Sequence, residues 1–394
     1  MTMAAAIGSR TAEVRSPAGR IARVEIIGDL GEAEAVWRTL EGGEQFSTPY
    51  QRFDFLAAWQ RHVGEREQAS PFIVVASDAE RRPLLLLPLT LRRDHGVRTA
   101  SFMGGKHTTF NMALWDRDFA GHATAADLDA LLAGLRARGA ADALSLTRQP
   151  QRWRDLVNPF TALSHQPSIN GCPVMTIAPG AAPAELISNS FRRRLKSKER
   201  KLQALPGYRY LIASDEAEIG RLLDWFFRVK PLRMAEHKLP NVFADAGVED
   251  FIRDISRATS PDGKRVVDVH ALACDEEVIA LFAGVADGHR FSMMFNTYTL
   301  SEHSRFSPGL ILLRNIVDHY AGRGFRALDL GIGTDEYKRL FCKLDEPIFD
   351  SFVALSGRGR VAATAMSVVA RGKHLVKQNQ RLLDLAQKLR HRFG

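Results

Sequence analysis

The sequence contains few cysteines, three in 394 residues, at Cys172, Cys274 and Cys342. They lie far apart and none belongs to a C-x-x-C pair, so we expect neither a disulfide framework nor a zinc site, and no metal is predicted. Each stands beside apolar or proline residues. This setting favours small core residues over a nucleophilic thiol.

The sequence also lacks any apolar run near the roughly 20 residues that a membrane helix needs. Its most apolar stretch, residues 83–91, is interrupted by Pro83 and Pro88 and fits a buried strand better. No continuous apolar region follows the arginines near the N-terminus, so a secretory signal is not expected, whereas the pattern alone leaves a transit peptide open. We interpret residues 1–20 as a disordered start and expect a cytoplasmic protein.

Positive charge, by contrast, is plentiful: the formal net charge is +9, with 25% charged and 45% hydrophobic residues. This composition is typical of a globular protein, and the net charge favours anionic partners without choosing among phosphorylated cofactors, nucleic acid and anionic lipid. A chain of 394 residues exceeds one ordinary core, so we predict two domains, 21–179 and 180–355, followed by a basic C-terminal helix in 356–394.

Hydrophobic periodicity predicts the elements of each half. In the first half we expect strands at 22–27, 71–76, 84–91 and 143–146, and helices at 32–40, within 46–63 and at 125–138. In the second half we expect strands at 173–177, 266–273, 277–286, 290–298, 327–330 and 348–354, helices at 183–205, 216–227, 248–259, 307–321 and 336–341, and a final helix at 361–392. This order indicates an α/β (mixed α+β) fold with a mixed central sheet in each half, and the duplication rests on element order alone.

A candidate anion site lies where the polar loop 299–306 enters a helix. Serine at Ser307 is a favoured N-cap, Pro308 suits the first helical position, and Gly309 keeps side-chain bulk away from the backbone. The free N–H groups and the positive end of the helix dipole form a natural site for a phosphate. The alternative is an ordinary, well-capped helix.

A second candidate segment follows the strand predicted at 327–330. Gly331 and Gly333 at the strand end permit a tight backbone close to a ligand. They do not form a dinucleotide-binding motif, because the G-x-G-x-x-G pattern and its βαβ frame are absent.

Three sequence blocks together resemble the CelD-like (cellulose-biosynthesis-associated) branch of the GNAT acetyltransferases, relatives of the Fem-type aminoacyltransferases. They are FSTPYQRFDFLAAWQRHVG at 46–64, FMGGKHTTFNMALW at 102–115 and FSPGLILLRNIVDHYAGRGFRALDLGIGTDEYKRLF at 306–341. The resemblance spans both halves and implies two tandem GNAT-like domains. It also implies acetyl-CoA or another acyl-CoA as co-substrate, and as acceptor an amine, or a hydroxyl, of a sugar, polysaccharide precursor or other cell-surface building block.

The resemblance implies roles for the residues around the anion site. The CoA pyrophosphate would lie at Ser307, Pro308, Gly309 and Leu310, with Arg305 as an additional phosphate contact.

The segment from Asp329 to Lys338 resembles the family pattern Asp-x-x-x-Gly-x-x-x-Tyr-Lys. Acyl transfer to an amine needs a base for the ammonium proton and donors for the developing oxyanion. We predict Lys338 as the positive group near the thioester or phosphates, Tyr337 as the acid for the leaving thiolate, and Asp335 or Glu336 as the base. The alternative is that the two acids only complement the helix dipole and that the lysine is solvated.

In the first half, His107 and Asn111 belong to a polar, glycine-containing segment between apolar stretches. In a two-domain arrangement this segment is predicted to line the acceptor cleft. The alternative is a structural or solvated role for both side chains.

Two helices are strongly basic. The helix predicted at 191–205 carries seven cations in ten residues and could contact the CoA 3′-phosphate, an anionic acceptor or a tRNA acceptor stem. The C-terminal helix at 361–392 carries leucines and valines on one face and cations on the other; we favour docking on the protein over contact with an anionic membrane.

Three functions follow in order of preference. The first is an acyl-CoA-dependent N-acyltransferase working by direct transfer, since no convincing covalent nucleophile is present. The second is a Fem-type aminoacyl-tRNA-dependent transferase, which the absence of a long coiled-coil insert disfavours. The third is a non-catalytic accessory protein of polysaccharide synthesis. The sequence specifies neither the acceptor nor the oligomeric state.

Overall fold

A computed structural model describes residues 19–333 and 335–378. The predicted disordered start therefore lies outside the described residues except for Gly19 and Arg20. Disorder is the wrong prediction for Arg20, whose backbone N–H and guanidinium both donate to the buried carboxylate of Asp127. Residues 379–394 of the predicted C-terminal helix also lie outside the described part.

The first of two large mixed sheets is built mainly from the first half of the chain. Its strands are β1 Arg23–Ile27, β2 Ser70–Ser77, β3 Pro83–Asp94, β4 Val97–Phe102, β5 Leu114–Trp115, β6 Ala143–Pro150, β9 Gln166–Pro167 and β17 Ile348–Ala354. They run in the order β1-β2-β3-β4-β6-β17-β9, with β5 paired to β3. A small hairpin, β7 Arg152–Trp153 and β8 Leu156–Val157, stands apart.

The second sheet is built mainly from the second half. Its strands are β10 Cys172–Thr176, β11 Arg209–Ile212, β12 Asp268–Ala273, β13 Val278–Ala286, β14 Arg290–Tyr298, β15 Ala327–Asp329 and β16 Leu344–Glu346. Their order is β11-β12-β13-β14-β15-β10-β16. The bounds predicted for the strands at 290–298 and 348–354 are those observed.

The two sheets repeat one plan. In each, four antiparallel strands are followed by one parallel pairing, β4 with β6 and β14 with β15, and then by an antiparallel strand beyond it. This common order confirms the mixed fold in each half and supports the duplication inferred from element order.

The last strands of the two halves are exchanged. β17, predicted in the domain 180–355, pairs with β6 of the first sheet, whereas β10, predicted in the domain 21–179, pairs with β15 of the second. A boundary between 179 and 180 is therefore wrong for these two strands. Each covers the outer edge of a parallel strand that would otherwise leave unpaired backbone groups, so sheet membership follows edge pairing and not chain order.

Helices cover the faces of both sheets. They are α1 Leu30–Leu40, α2 Phe53–Trp59, α3 Arg117–Gly121, α4 Ala125–Arg138, α5 Asn189–Leu202, α6 Glu216–Glu236, α7 Val248–Arg257, α8 Pro308–Gly322, α9 Glu336–Arg339 and α10 Gly357–Gln378. Nearly all match predicted helices within a few residues. α3 was not predicted, and α6 continues well past its predicted end at 227, through Pro231. Tertiary contacts explain that extension, since Lys230 and Arg233 donate to carbonyls of β14.

α10 packs against β17, β6 and β4 of the first sheet. Gly359 lets its first turn approach closely, because a Cβ there would lie 1.6 Å from the carbonyl oxygen of Asp142. Docking of the C-terminal helix on the protein is thus the observed arrangement for residues up to 378. Across 19–333 and 335–378, no helix combines the length and apolarity needed to cross a bilayer.

Candidate functional site

A cleft of about 720 Å³ lies between the two sheets. It forms where both parallel strand pairs stop pairing, after Ser101 opposite Ser145 in the first sheet and after Ser292 opposite Asp329 in the second. Beyond those points β6 contributes Thr147 and β14 contributes Met293 to the walls. Apolar side chains of α7 and α10 close the sides, so the cleft has a largely apolar lining with a few polar groups.

Lys338 lines this cleft and is 4% exposed. Its ammonium donates to the carbonyls of Gly331 (3.2 Å) and Ile332 (3.1 Å) and lies 3.3 Å from the Asp335 carboxylate. The alternative of a solvated surface lysine is therefore wrong. Its ammonium is thus engaged by Gly331, Ile332 and Asp335, so any effect on a ligand would come from its charge.

The two loop glycines have the backbone freedom that the sequence suggested. Gly331 has φ 71° and Gly333 has φ 134°, both in the region that side chains disfavour. A Cβ on Gly333 would lie 3.1 Å from the Lys338 ammonium. These glycines therefore allow the loop to wrap around the lysine.

The other predicted catalytic residues lie at different depths. The Tyr337 hydroxyl accepts from the Asn296 amide of β14 (3.3 Å), and burial raises the pKa of Tyr337, which keeps it protonated and able to donate. Asp335 is mostly exposed and pairs with Lys338. Glu336 is exposed in the first turn of α9. Tyr337, Asp335 and Glu336 are all absent from the cleft lining, so among the predicted catalytic residues Lys338 is the one that the structure brings into it.

His107 lines the cleft from the first half. Its Nδ1 accepts from the indole N–H of Trp59 (3.1 Å), so the neutral ring carries its proton on Nε2. Burial lowers the pKa of His107 to about 4. Nε2 has no hydrogen-bond partner among the described residues. The ring is thus a neutral donor whose buried Nε2–H is left unpaired by the described residues, and not a base.

Asn111 was predicted to line the cleft and does not. Its side chain is buried, accepts from Thr108 Oγ1 (2.9 Å) and donates to the carbonyl of Thr147 (3.2 Å). It fixes the 104–111 loop to β6. This is the structural role that was the alternative to lining the cleft.

Sequence reasoning missed Asp350 and Arg148, which also line the cleft. Asp350 Oδ1 accepts from the Arg148 backbone N–H (2.9 Å) and from the Ser168 hydroxyl, and burial raises the pKa of this carboxyl. Both bonds use Oδ1, which leaves Oδ2 to a ligand. The Arg148 guanidinium donates to the carbonyls of Gly105 (3.2 Å) and Thr108 (3.0 Å) and so holds the loop that carries His107.

A buried polar chain runs from the cleft into the second sheet. Tyr50 bonds both Thr109, which lines the cleft, and Ser292 (2.9 Å), and Ser292 donates to Asp329 (2.8 Å). Burial raises the pKa of Asp329 to about 6, against the opposing charge of Arg290. Asp329 begins the sequence pattern that ends at Lys338, and no role was predicted for it. Its partners come from distant segments of the chain, so no local signal in the sequence points to them.

The three cysteines are buried and free, as core residues would be. Burial raises the pKa of Cys342 to about 12 and also raises that of Cys172. Such thiols are poor nucleophiles.

The predicted anion site at the start of α8 lies outside the cleft lining, at the far end of β14. Ser307 is the N-cap with φ 57°, but its side chain makes no capping bond, so the predicted hydroxyl cap is wrong. Its hydroxyl instead accepts from the ammonium of Lys198 on α5 (2.7 Å). The left-handed backbone turns the side chain away from the helix N–H groups.

The other residues of the predicted anion site lie at or near the start of α8. Pro308 occupies the first helical turn as predicted. A Cβ on Gly309 would lie 3.6 Å from the Tyr298 ring. Leu310 donates its N–H to the Ser307 carbonyl (3.0 Å), and Arg305 is exposed and pairs with Glu302 (3.3 Å). The N–H of Gly309 is among those that a helix leaves without an internal acceptor.

α5 is anchored to α8 by ion pairs. Arg192 pairs with Asp318 and Glu199 with Arg314, each at 2.8 Å. The remaining cations of the helix are exposed or half-exposed: Arg193, Arg194, Lys196, Lys198, Arg200 and Lys201. The basic run is therefore partly structural, and its free part adjoins the start of α8. Within the described ranges, no group of three His, Cys, Asp or Glu side chains could hold a metal ion.

A family described as "Acetyltransferase (GNAT) domain" matches residues 189–339, less than half of the chain. That segment runs from the start of α5 to the end of α9 and includes the second sheet from β11 to β15, α8 and Lys338. The second half therefore contains an acyltransferase domain of the GNAT type, which confirms the fold predicted there.

Solved structures show the same fold across most of the chain. The C-terminal domain of a putative lysylphosphatidylglycerol synthetase from Agrobacterium fabrum matches with a TM-score of 0.50 at 11% identity, covering 87% of this chain and 96% of that one. A conserved protein of unknown function from Bacteroides thetaiotaomicron matches with a TM-score of 0.52 at 8% identity, covering 84% and 100%. A search of curated proteins by sequence finds no match.

Proposed function

We propose that this protein is an N-acyltransferase that uses an acyl-CoA donor, bound at the start of α8, and an amine acceptor, bound in the central cleft. One observation carries the proposal. The start of α8 has no side-chain cap, holds Lys198 beside it, and lies at the end of β14, whose middle residues form the cleft wall. A donor can thus be held at one end of this strand while its acyl group reaches the other.

The donor end is suited to phosphates. The Gly309 N–H and the positive end of the α8 dipole would meet the pyrophosphate, with the Lys198 ammonium beside it. The exposed cations of α5 would meet the 3′-phosphate. The acyl arm would then follow β14 from Tyr298 towards Met293, passing the Tyr337 hydroxyl at Asn296.

The acceptor end supplies the groups that the chemistry requires. Asp350 Oδ2 would bind the acceptor ammonium and take its proton, and Asp335 beside Lys338 is the alternative base. The amine nitrogen attacks the thioester carbon, the N–C bond forms and the C–S bond breaks. His107 Nε2–H and the charge of Lys338 would stabilise the oxyanion, and Tyr337 would protonate the leaving thiolate.

The acceptor class rests on the CelD-like resemblance alone, which favours an amine of a sugar or polysaccharide precursor, processed in the cytoplasm. The mixed lining of the cleft, with apolar walls and one available carboxylate, is compatible with an amine-bearing acceptor.

Isothermal titration with acetyl-CoA and longer acyl-CoAs tests the proposal. We expect micromolar binding by the wild-type protein, followed by transfer to an amine acceptor. Absence of binding by every acyl-CoA would contradict it and would favour an aminoacyl-tRNA donor or the non-catalytic accessory role.

The exposed cations of α5 support a second candidate, an aminoacyl-tRNA donor. Several cations on one helix beside the start of α8 would suit the acceptor end of a charged tRNA. This function requires tight, salt-sensitive tRNA binding that is lost when Arg193, Arg194 and Lys196 are changed to glutamate. Binding unaffected by that change would exclude it.

A further inference from the structure

The outer face of α10 is apolar where a docked helix is ordinarily polar. Val361, Val368 and Leu375 recur every seven residues and are 74%, 62% and 61% exposed. The opposite face, with Ala363 and Ala370, is buried against the first sheet. Among residues 19–333 and 335–378, no segment packs over this exposed row.

Cations flank this row on both sides. Residues 356–378 contain five Lys and Arg residues and no Asp or Glu. At 100° per residue, Arg360 and Arg371 lie about 60–80° to one side of the row and Arg358 lies about 80° to the other. Lys373 and Lys377 lie about 140–180° from the row, on the face that borders the cleft and Asn170. All five side chains are exposed, although Arg371 also donates to Gln166 (2.8 Å).

This pattern specifies the occupant of the surface. A second copy of the same face would bring like charges together on both flanks, which disfavours self-association. An apolar row flanked by cations is suited to a helix that lies in the plane of an anionic bilayer, with its apolar side chains among the acyl chains and its cations at the headgroups. We propose that α10 docks the protein on anionic phospholipid membranes through Val361, Val368 and Leu375.

The same helix forms one wall of the cleft, through Val369 and Lys373 among others. Val369 is 54% exposed and lies next to the apolar row. A bilayer docked on the row would therefore lie beside the cleft. The docking itself does not depend on acyl transfer and can be tested without a known acceptor.

Vesicle flotation of the full-length protein tests the proposal, with vesicles of phosphatidylcholine alone and of phosphatidylcholine mixed with phosphatidylglycerol. We expect the wild-type protein to float with the mixed vesicles at low salt and to remain unbound with the neutral ones. Failure to float with the anionic vesicles would overturn the proposal.

Two double variants test whether vesicle binding depends on the apolar side chains of this row. Val361→Gln with Leu375→Gln should lower vesicle affinity by about tenfold or more, since both side chains lose burial in the bilayer. Leu239→Gln with Leu344→Gln is the matched control, because those leucines are each 57% exposed elsewhere on the surface, and it should bind as the wild type does. Equal flotation of both variants would overturn the proposal. The proposal would also be overturned if the protein does not bind vesicles and Val361→Gln with Leu375→Gln converts it from dimer to monomer. The row would then be a self-association surface. Thermal melting checks that both variants fold.

Discussion

The two halves of this protein share one plan and differ at the equivalent helix start. α4 of the first half begins with Thr124, whose hydroxyl accepts from the Asp127 N–H while the Asp127 carboxylate accepts from the Thr124 N–H. α8 of the second half begins with Ser307, whose side chain caps nothing, and its first turn contains no acid. The first half thus satisfies its helix start with its own carboxylate, whereas the start of α8 has no side-chain cap and no acid of its own.

The parallel strand pairs next to these helices differ as well. In the first sheet, α10 covers the opening between β4 and β6. In the second, β14 leads from the cleft to the uncapped start of α8. This difference is why the proposed donor is assigned to the second half and acceptor-side groups, such as His107, to the first.

The largest expected effect comes from placing a large side chain at the start of α8. Gly309→Trp should weaken acyl-CoA binding by at least about a hundredfold, because the indole would occupy the space next to Tyr298 that the proposed donor phosphate would enter. Titration calorimetry measures the loss. Gly322→Trp at the other end of α8 is the control, since nothing lies within 4 Å of a Cβ there. Equal binding by both variants would place the donor elsewhere.

The next effect concerns the buried lysine of the second half. Lys338→Met should lower kcat by about 10²- to 10³-fold, because it removes the charge at the cleft and leaves the Gly331 and Ile332 carbonyls without their donor. Steady-state kinetics measures this, with the exposed Lys343→Met as control. An unchanged kcat would exclude an electrostatic role for Lys338.

A smaller effect shows whether acyl-CoA binding depends on a local contact with Lys198 or on the overall charge of α5. Lys198→Gln should raise the Kd for acyl-CoA by about tenfold, since its ammonium lies at the start of α8. Lys196→Gln, exposed on the same helix, should change it by less than about twofold at physiological salt. Comparable losses in both variants would indicate a diffuse electrostatic attraction.

The smallest effect tests the capping difference itself. Thr124→Ala should lower the free energy of unfolding by about 1 kcal/mol because it removes a capping box, and should leave acyl-CoA binding unchanged. Ser307→Ala should change stability by only a few tenths of a kcal/mol, because its hydroxyl caps nothing. Urea denaturation of both variants measures this. A larger loss from Ser307→Ala would contradict the difference between the two halves.

Local patterns predicted most of the elements. The strand 290–298 has turn residues on both sides and a clear apolar pattern, and Pro308 and the loop glycines have the backbone roles expected of them. Lys338 was found through the pattern around it. These features depend on neighbours within a few residues, which a sequence displays directly.

Long-range features were not predictable in the same way. The exchange of β10 and β17 depends on which sheet edge each strand meets, and no residue in either strand encodes that choice. Asp350 reaches the cleft only because β17 crosses to the first sheet, where it meets Arg148. The missing cap at Ser307 results from its left-handed backbone and from Lys198, more than a hundred residues earlier.

Hydrogen–deuterium exchange with and without acetyl-CoA tests the central claim most directly, because it reports on both helix starts in one sample. The account predicts that the donor slows exchange in peptides covering 305–312 and leaves those covering 122–128 unchanged. Protection at 122–128, or protection in neither segment at saturating donor, would contradict the assignment of the donor site to the second half.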